Sequence, residues 1–507
     1  MSTIGERERR KKKIQRKFKN RGYHLKVGDL DLIADHFQQD ADEEADHFPH
    51  EAIDQLLNLL QKESFDAESI QRCLGSAKEE STTSASSLLF IDAFMVPKYR
   101  YDAVTKRFII LEDMPPLVHG EASAKTELYR ERFMLLKQRV SRSEYFSRPE
   151  FDSDTTQIKK HEISSVQSLM FQVGRKWVMG MISQLEDGHF YLEDLSASYK
   201  ITTGFFTENT IILADGEMKN GIFQVITCGF PPLEERIKTL KTHSEYDFFG
   251  GSLQEEMVIP ESSSFVILSD IWLDDEEVLG KLETVLDGFE RDEKVPTLFV
   301  LMGNFCSRPC NLSFACYSSL RQQFGELGRM IGKHRRLKEE SRFLFIPGPD
   351  DACHSTVLPS CGLPNYLTKE LRDVIPNAII LSNPCRVKFY NQEIVFFRQD
   401  LVYRMRRSCL ITPSFEETDD PFEHLACTIV QQSHLCPLPL MVQPIIWNYD
   451  HSLRLYPTPH TIVLGDKSEQ KECKIGETAC LNPGSFATDC TFVLYRPSTQ
   501  HVQLSAL

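Results

Sequence analysis

The chain has 507 residues, a length that suits two to four domains of roughly 100–200 residues each. Hydrophobic residues make up 41% and charged residues 26%, the balance of a globular chain with sizeable packed cores. The net charge is −15, yet residues 1–22 alone carry ten Lys/Arg against two Glu, so the rest is more acidic still. Phosphate backbones repel such a body, which argues against a general nucleic-acid binder.

No apolar run reaches the length of about 18 residues that a membrane span needs, and the basic N-terminus lacks the apolar stretch of a secretory signal. The fourteen cysteines form no C-x-x-C pair. The tightest group, Cys306, Cys310 and Cys316, has no second cluster at zinc spacing. Reduced thiols in a cytosolic or nuclear protein are expected, with no membrane contact and no cofactor.

In chain order, residues 6–22 are basic and helix-compatible, with Ile14 and Phe18 one turn apart. Lys11, Lys12 and Lys13 fit an import patch, a nucleic-acid contact or a plain solvated helix face. Ile53, Leu56, Leu57 and Leu60 follow the spacing of an amphipathic helix, so residues 1–75 read as a helical N-terminal domain. Residues 76–87 are Ser/Thr-rich and aperiodic, and 76–165 read as linker and connecting helix. That helix is predicted over 125–142, where Tyr129, Phe133, Leu136 and Val140 repeat at steps of four, three and four.

From 166 to 232 short β-runs separated by glycines predict a small barrel of the OB type. Phe190, Tyr191 and Phe223 in those runs would either stack bases or fill the barrel core. From 233 to 507 strands alternate with helices. Apolar runs at 265–268, 297–301, 343–346, 378–381, 394–397, 444–446 and 461–464 predict strands buried on both faces, with a helix over 275–289. The fold class is therefore α/β and multi-domain: helical N-terminal domain, OB-type barrel and a layered α/β domain.

Ligands of open α/β sheets gather at the carboxyl ends of strands. There the chain reads Ser269-Asp270-Ile271-Trp272, Gly303-Asn304, Gly348-Pro349-Asp350-Asp351, Ser433-His434 and Gly465-Asp466-Lys467-Ser468. The order resembles the calcineurin-like metallophosphoesterases, whose series D-x-H, G-D, G-N-H-[DE], a lone His and G-H-x-H holds two metals and generates a hydroxide. Here the series is degenerate. Trp272 stands for a His, Asn304 for the bridging carboxylate, Pro349 for an amide and Asp350 for the catalytic His. Asp466 and Ser468 replace the last two histidines, leaving Asp270 and His434 as matched ligands. Two ligands do not hold a dinuclear centre. The remaining carboxylates read either as N-caps and turn residues or as a remodelled single-metal site of Asp270, Asp350, Asp466 and His434. Trp272 is expected to fill the space the metals vacate.

A barrel of this type joined to an inactive calcineurin-like phosphoesterase α/β sandwich resembles the B-subunits of eukaryotic replicative DNA polymerases. Within them the match is to the epsilon type. The stretches that carry it are Tyr129–Phe133, Gly229–Pro232, Phe248–Gly251, Leu268–Asp274, Arg342–Pro349, Leu438–Leu440 and Leu481–Phe486. The resemblance implies a nuclear, non-catalytic accessory subunit. Its implied partners are the cysteine-rich C-terminal region of the catalytic subunit, small histone-fold subunits of the same complex, and the GINS/CMG helicase through the N-terminal domain. DNA would be met mainly indirectly. A delta- or alpha-type B-subunit and an active metal-dependent phosphodiesterase are the alternatives.

Overall fold

The computed structural model describes residues 88–507 except 112–115, 147–160, 165–168, 170–173, 187–188, 194, 197–205, 220–221, 252–258, 311–315, 353–355, 412 and 414–417. The chain divides into two units, Met1–Ser87 and Leu88–Leu507. The expected helical domain, the Ser/Thr-rich linker and Lys11, Lys12 and Lys13 lie outside the described residues.

Two six-stranded sheets form the larger part of the second unit. In the first, Ala378–Ile380, Arg342–Ile346, Leu298–Met302 and Phe265–Ser269 run parallel, and Thr491–Arg496 and His501–Ala506 extend it antiparallel. The second has the order Leu88–Asp92, Cys385–Phe389, Gln392–Arg398, Thr461–Gly465, Thr478–Asn482, Lys471–Ile475. Side chains alternate between faces along a strand, so each strand feeds two cores. Phe265, Ile267, Leu298 and Val300 meet Val387, Phe389, Ile394 and Phe396 between the sheets. Val266, Leu268, Phe299 and Phe343 point outward and pack beneath helices Glu276–Arg291, Tyr317–Lys333 and Asn365–Val374. Helices Leu401–Ser408 and Pro421–Gln432 cover the other sheet. The layers are thus helix, sheet, sheet, helix, and the carboxyl ends of the parallel strands open at one edge.

The barrel sheet has the order Ile222–Gly229, Ile211–Lys219, Lys176–Glu186, His189–Glu193, Leu195–Ser196, with Ile163–Ser164 beside Lys176–Glu186. Phe223 is fully buried in its core with Val178, Ile182, Leu192 and Phe206, which makes it a core residue and not a stacking platform. Helix Ala122–Val140 lays Leu136 and Val140 against Met179, Ile211 and Leu213.

Several expectations change. The segment read as linker and connecting helix contains Leu88–Asp92, an edge strand paired with Cys385–Phe389, and the hairpin Tyr99–Asp102/Arg107–Ile110. A five-residue strand whose partner lies almost 300 residues away leaves no local signal. The run at 444–446 makes only an isolated bridge, Ile445 to Leu358, because Pro444 brings no N–H to a ladder. The C-terminal strands Lys471–Ile475, Thr478–Asn482, Thr491–Arg496 and His501–Ala506 go beyond the expected set; in Lys471–Ile475 and His501–Ala506 polar, exposed positions mask the apolar pattern.

Helix Ala122–Val140 is fastened by ion pairs. Arg132 reaches Asp450 through Nε (3.1 Å) and Nη2 (2.5 Å), with both side chains buried. Arg454 pairs with Glu131 and lies 3.6 Å from the same Asp450. Arg139 donates to Ser433 Oγ (2.6 Å), Gln431 O (2.5 Å) and Pro231 O (3.2 Å), and Arg142 grips Glu234 with two bonds of 2.7 Å. Breaking a buried pair leaves an uncompensated charge. Arg132→Ala is therefore expected to lower the unfolding free energy by about 3–5 kcal/mol, read as a fall in the urea midpoint. A loss below about 1 kcal/mol is what an exposed pair gives, and would contradict this seam.

Candidate functional site

The degenerate motifs do lie at strand ends, and the structure shows what each now does. Asp270 follows Phe265–Ser269 in a left-handed conformation (φ 62°), and its amide donates to Met302 O at 3.0 Å. Its carboxylate accepts from Ser485 Oγ (2.8 Å) on one oxygen and from Arg398 Nη2 (3.5 Å) on the other. Asn304 accepts from the Asp350 amide (3.0 Å) and donates to the Asp350 carboxylate at 3.5 Å, so it ties two loops together. Gly348 is required there, because a Cβ would overlap the Asn304 side chain. Pro349 is buried and has no N–H to offer.

Asp466 is a helix cap. Its Oδ2 accepts from the Val402 amide in the first turn of Leu401–Ser408 (2.9 Å), and its Oδ1 accepts from the Ser468 amide at 2.9 Å. Ser468 Oγ accepts from Asn482 Nδ2 at 3.1 Å. Burial raises the Asp466 pKa above the ordinary carboxylate value.

His434 is committed elsewhere. The Cys436 amide donates to Nδ1 (3.0 Å), which leaves the proton on Nε2 to be donated to Asp450 Oδ1 at 3.2 Å. Burial, aided by Arg132, pushes the imidazole down to about 4, so it is neutral. Against the pull of burial, Arg132 and His434 hold Asp450 well below the carboxylate range. The second matched ligand of the motif series has thus become part of the seam that holds helix Ala122–Val140.

A residue that sequence reasoning missed takes the centre. Arg398 ends strand Gln392–Arg398 and is fully buried, among the largest side chains so enclosed. Its Nε donates to Gly303 O (2.5 Å), Nη1 to Asp400 Oδ1 (2.7 Å) and Gly465 O (3.0 Å), and Nη2 to Asp270 Oδ1 (3.5 Å). Burial opposes the charge, but Asp400 and Asp270 more than offset it and hold the guanidinium above its usual pKa. Arg398 correspondingly holds Asp400 down. Trp272 is partly buried against the outer helical core, while Arg398 stands among the carboxylates. The signal was present in the sequence: an apolar strand ending in Arg-Gln-Asp, with a cation at the position where ligands normally gather.

Among the described residues no group of three or more His, Cys, Asp or Glu is poised to hold a metal ion. The donor set fits a dinuclear centre poorly on its chemistry as well. The His434 lone pair is spent on a backbone amide, the Asp466 oxygens are spent on two others, and a fixed cation contacts Asp270.

Comparison with known proteins now places the chain. The family model for the DNA polymerase alpha/epsilon B-subunit matches residues 265–473, and the one described as DNA polymerase epsilon subunit 2-like, OB-fold domain, matches 122–232. The DNA polymerase epsilon B-subunit of Arabidopsis thaliana is 70% identical over 98% of this chain and 99% of its own length. DNA polymerase epsilon subunit 2 of Homo sapiens is 32% identical over 99% of each chain. The chain belongs to the DNA polymerase epsilon B-subunit family. An archaeal phosphodiesterase of known structure shares 12% identity over 48% of this chain and 99% of its own, with a TM-score of 0.27, a likeness too loose to bear on fold or activity.

Membership makes the chain a non-catalytic accessory subunit and gives the matching peptides a physical role. In Tyr129–Phe133, Glu131 and Arg132 supply the ion pairs of the seam, and the Arg132 guanidinium lies 5.9 Å from the Tyr129 ring centroid. In Gly229–Pro232, Phe230 stacks on Phe206 at 4.1 Å, and Pro231 accepts from Arg139. Phe248 joins an aromatic cluster with Tyr99, Phe108, Tyr246 and Tyr456. Beside it, Gly251 has φ 88°, and a Cβ there would overlap Leu89.

Three largely buried imidazoles make the fold acid-sensitive. Burial holds His434 at about 4 and His451 and His460 at about 3. Each is neutral in the fold but takes a proton in the unfolded chain below about pH 6.5. Each therefore contributes stability that is present above pH 6.5 and is lost as pH falls towards its folded value. Asp351 runs the other way: burial raises it to about 7, so it favours the fold as pH falls and offsets one of the three. The urea midpoint is expected to drop steadily from pH 6.5 to 4.5, each uncompensated imidazole costing about 1.4 kcal/mol per pH unit. A flat profile over that window would refute neutral burial.

Proposed function

We propose that this chain is the second subunit of a DNA polymerase epsilon complex in the nucleus. In this reading the barrel and the phosphoesterase domain scaffold the cysteine-rich C-terminal region of the catalytic subunit. The N-terminal domain connects the assembly to the replicative helicase through GINS during leading-strand synthesis, and small histone-fold subunits complete the complex. The observation that carries the proposal is the 70% identity to a polymerase epsilon B-subunit across 98% of the chain. The site agrees with it: Arg398 and backbone amides occupy the lone pairs that hydrolysis would require. An acidic body suits basic protein partners and would speed their association. Exposed Val104, Ile109 and Ile110 on the hairpin, with Leu117 and Val118 beyond it, offer apolar surface of the kind that protein contacts use.

Tagged full-length chain expressed in its own nucleus is expected to recover a large polymerase polypeptide at one-to-one stoichiometry. Recovery of the chain without one would overturn the assignment. Deleting residues 1–75 is expected to abolish recovery of the helicase while leaving the polymerase partner, as read by quantitative mass spectrometry. Loss of both together would reject the division of labour between the two units.

A further inference from the structure

The rim of the second sheet sets two thiols face to face. Lys471–Ile475 ends that sheet and runs antiparallel to Thr478–Asn482, with Cys473 directly opposite Cys480. The two-residue turn Gly476-Glu477, with Gly476 at φ 60°, fixes that register. The facing thiols are hydrogen-bonded to each other. Facing residues of an antiparallel ladder have Cα atoms about 4.5–5.5 Å apart, inside the window of about 4.4–6.8 Å that a disulfide accepts. The Cβ atoms have about 1 Å to close, and an edge strand is held on one side only.

The two sulfurs differ in access. Cys480 is fully buried in the core under helix Pro421–Gln432, whereas Cys473 is half-buried at the margin of that core. The hydrogen bond with Cys473, together with burial, holds Cys480 protonated well above the ordinary thiol value. Cys473 is therefore the sulfur that a small oxidant meets first, and Cys480 is the thiol at hand to finish the reaction. Cys427 on the covering helix acts electrostatically on Cys480, so a third thiol stands nearby. A second close pair, Cys306 and Cys310, has both members buried and offers no such entrance.

We propose that Cys473 and Cys480 are a reversible redox pair, a modification site for hydrogen peroxide at the edge of the α/β domain. In the first step the Cys473 thiolate attacks the peroxide O–O bond, becomes a sulfenic acid and releases water. The Cys480 sulfur then displaces the sulfenic hydroxyl, which leaves with the Cys480 proton as a second water, and the S–S bond forms. Two thiols are oxidised and one peroxide is reduced to two waters. A dithiol reverses the change by exchange and is itself oxidised to a disulfide. The bridge staples the outermost strand to its neighbour, whose Asn482 accepts from the Asp466 amide and donates to Ser468 O and Glu469 O. It thereby fixes in register the strand that holds the Asp466 loop.

The test uses purified full-length chain under native conditions, treated with hydrogen peroxide and then with an alkylating agent, trypsin and mass spectrometry. Lys474 lies between the two cysteines, so trypsin separates them unless a disulfide joins them. The folded chain is expected to give Glu472–Lys474 linked to Ile475–Leu507, two hydrogens lighter than the separate peptides and split by dithiothreitol. Cys306 and Cys310 are expected to remain reduced under the same treatment.

Cys480→Ala is expected to lose the link and to accumulate a dimedone-reactive sulfenic acid at Cys473. Cys473→Ser is expected to lose both signals, and Cys427→Ser to keep the link. A folded native chain that shows no link while Cys473 is oxidised, or that joins Cys473 to Cys427 instead, would overturn the proposal. A link that forms only in urea would do the same, because the fold would then not be what pairs the thiols.

Discussion

The layered α/β domain is tied together at one edge by the buried guanidinium of Arg398. Arg398 enters from the second sheet and donates to Gly303 and Asp270 of the first and to Gly465 and Asp400 of its own. A buried charge is tolerated only when its partners are close and its donors are used. Here the partners sit at the carboxyl ends of strands from both sheets, so the same bonds that satisfy the charge join the two sheets at that edge. The loops carrying Asp270, Asn304, Asp400 and Asp466 are thereby closed over a cation that belongs to the chain itself.

The remaining motif positions have been redirected to structural work of a similar kind. Asp466 caps a helix, Asn304 bridges to Asp350, and His434 supports Asp450. Asp450 is the anion on which Arg132 and Arg454 converge, so His434 supports the docking of helix Ala122–Val140 through it. The same seam is extended by backbone mimicry. Gln432 accepts from the Ile211 amide at 2.9 Å and donates to its carbonyl at 2.8 Å, pairing with a barrel strand as another strand would. Phe206–Thr207 of the barrel also pairs with Cys409–Ile411. Barrel and sandwich are joined by polar bonds of fixed geometry as well as by apolar area, and such bonds fix orientation as well as adhesion.

Much of the fold was legible because its strongest elements carry their own pattern. The runs at 265–268, 297–301 and 343–346 are apolar on both faces because both faces are covered, and they became the central parallel strands. Helix Ala122–Val140 shows its apolar repeat because one face is covered, although nothing in the spacing of Arg132 and Arg139 says which distant groups they meet. The edge strands were hidden. Leu88–Asp92 is five residues long, and His501–Ala506 is largely exposed, so neither needs a pattern of its own.

The sequence by itself determined the order of barrel and layered α/β domain, the buried parallel strands, and which strand ends carry no metal-binding side chain. Each of these follows from residue type and spacing: a tryptophan has no lone pair to give, and a neutral amide cannot bridge two cations. Which partners hold the buried charges was decided only in three dimensions. Arg398 meets Asp270 across 128 positions of sequence, and Arg132 meets Asp450 across 318. Pairings at such separations leave no periodic trace, because they depend on which strand ends the two sheets bring together.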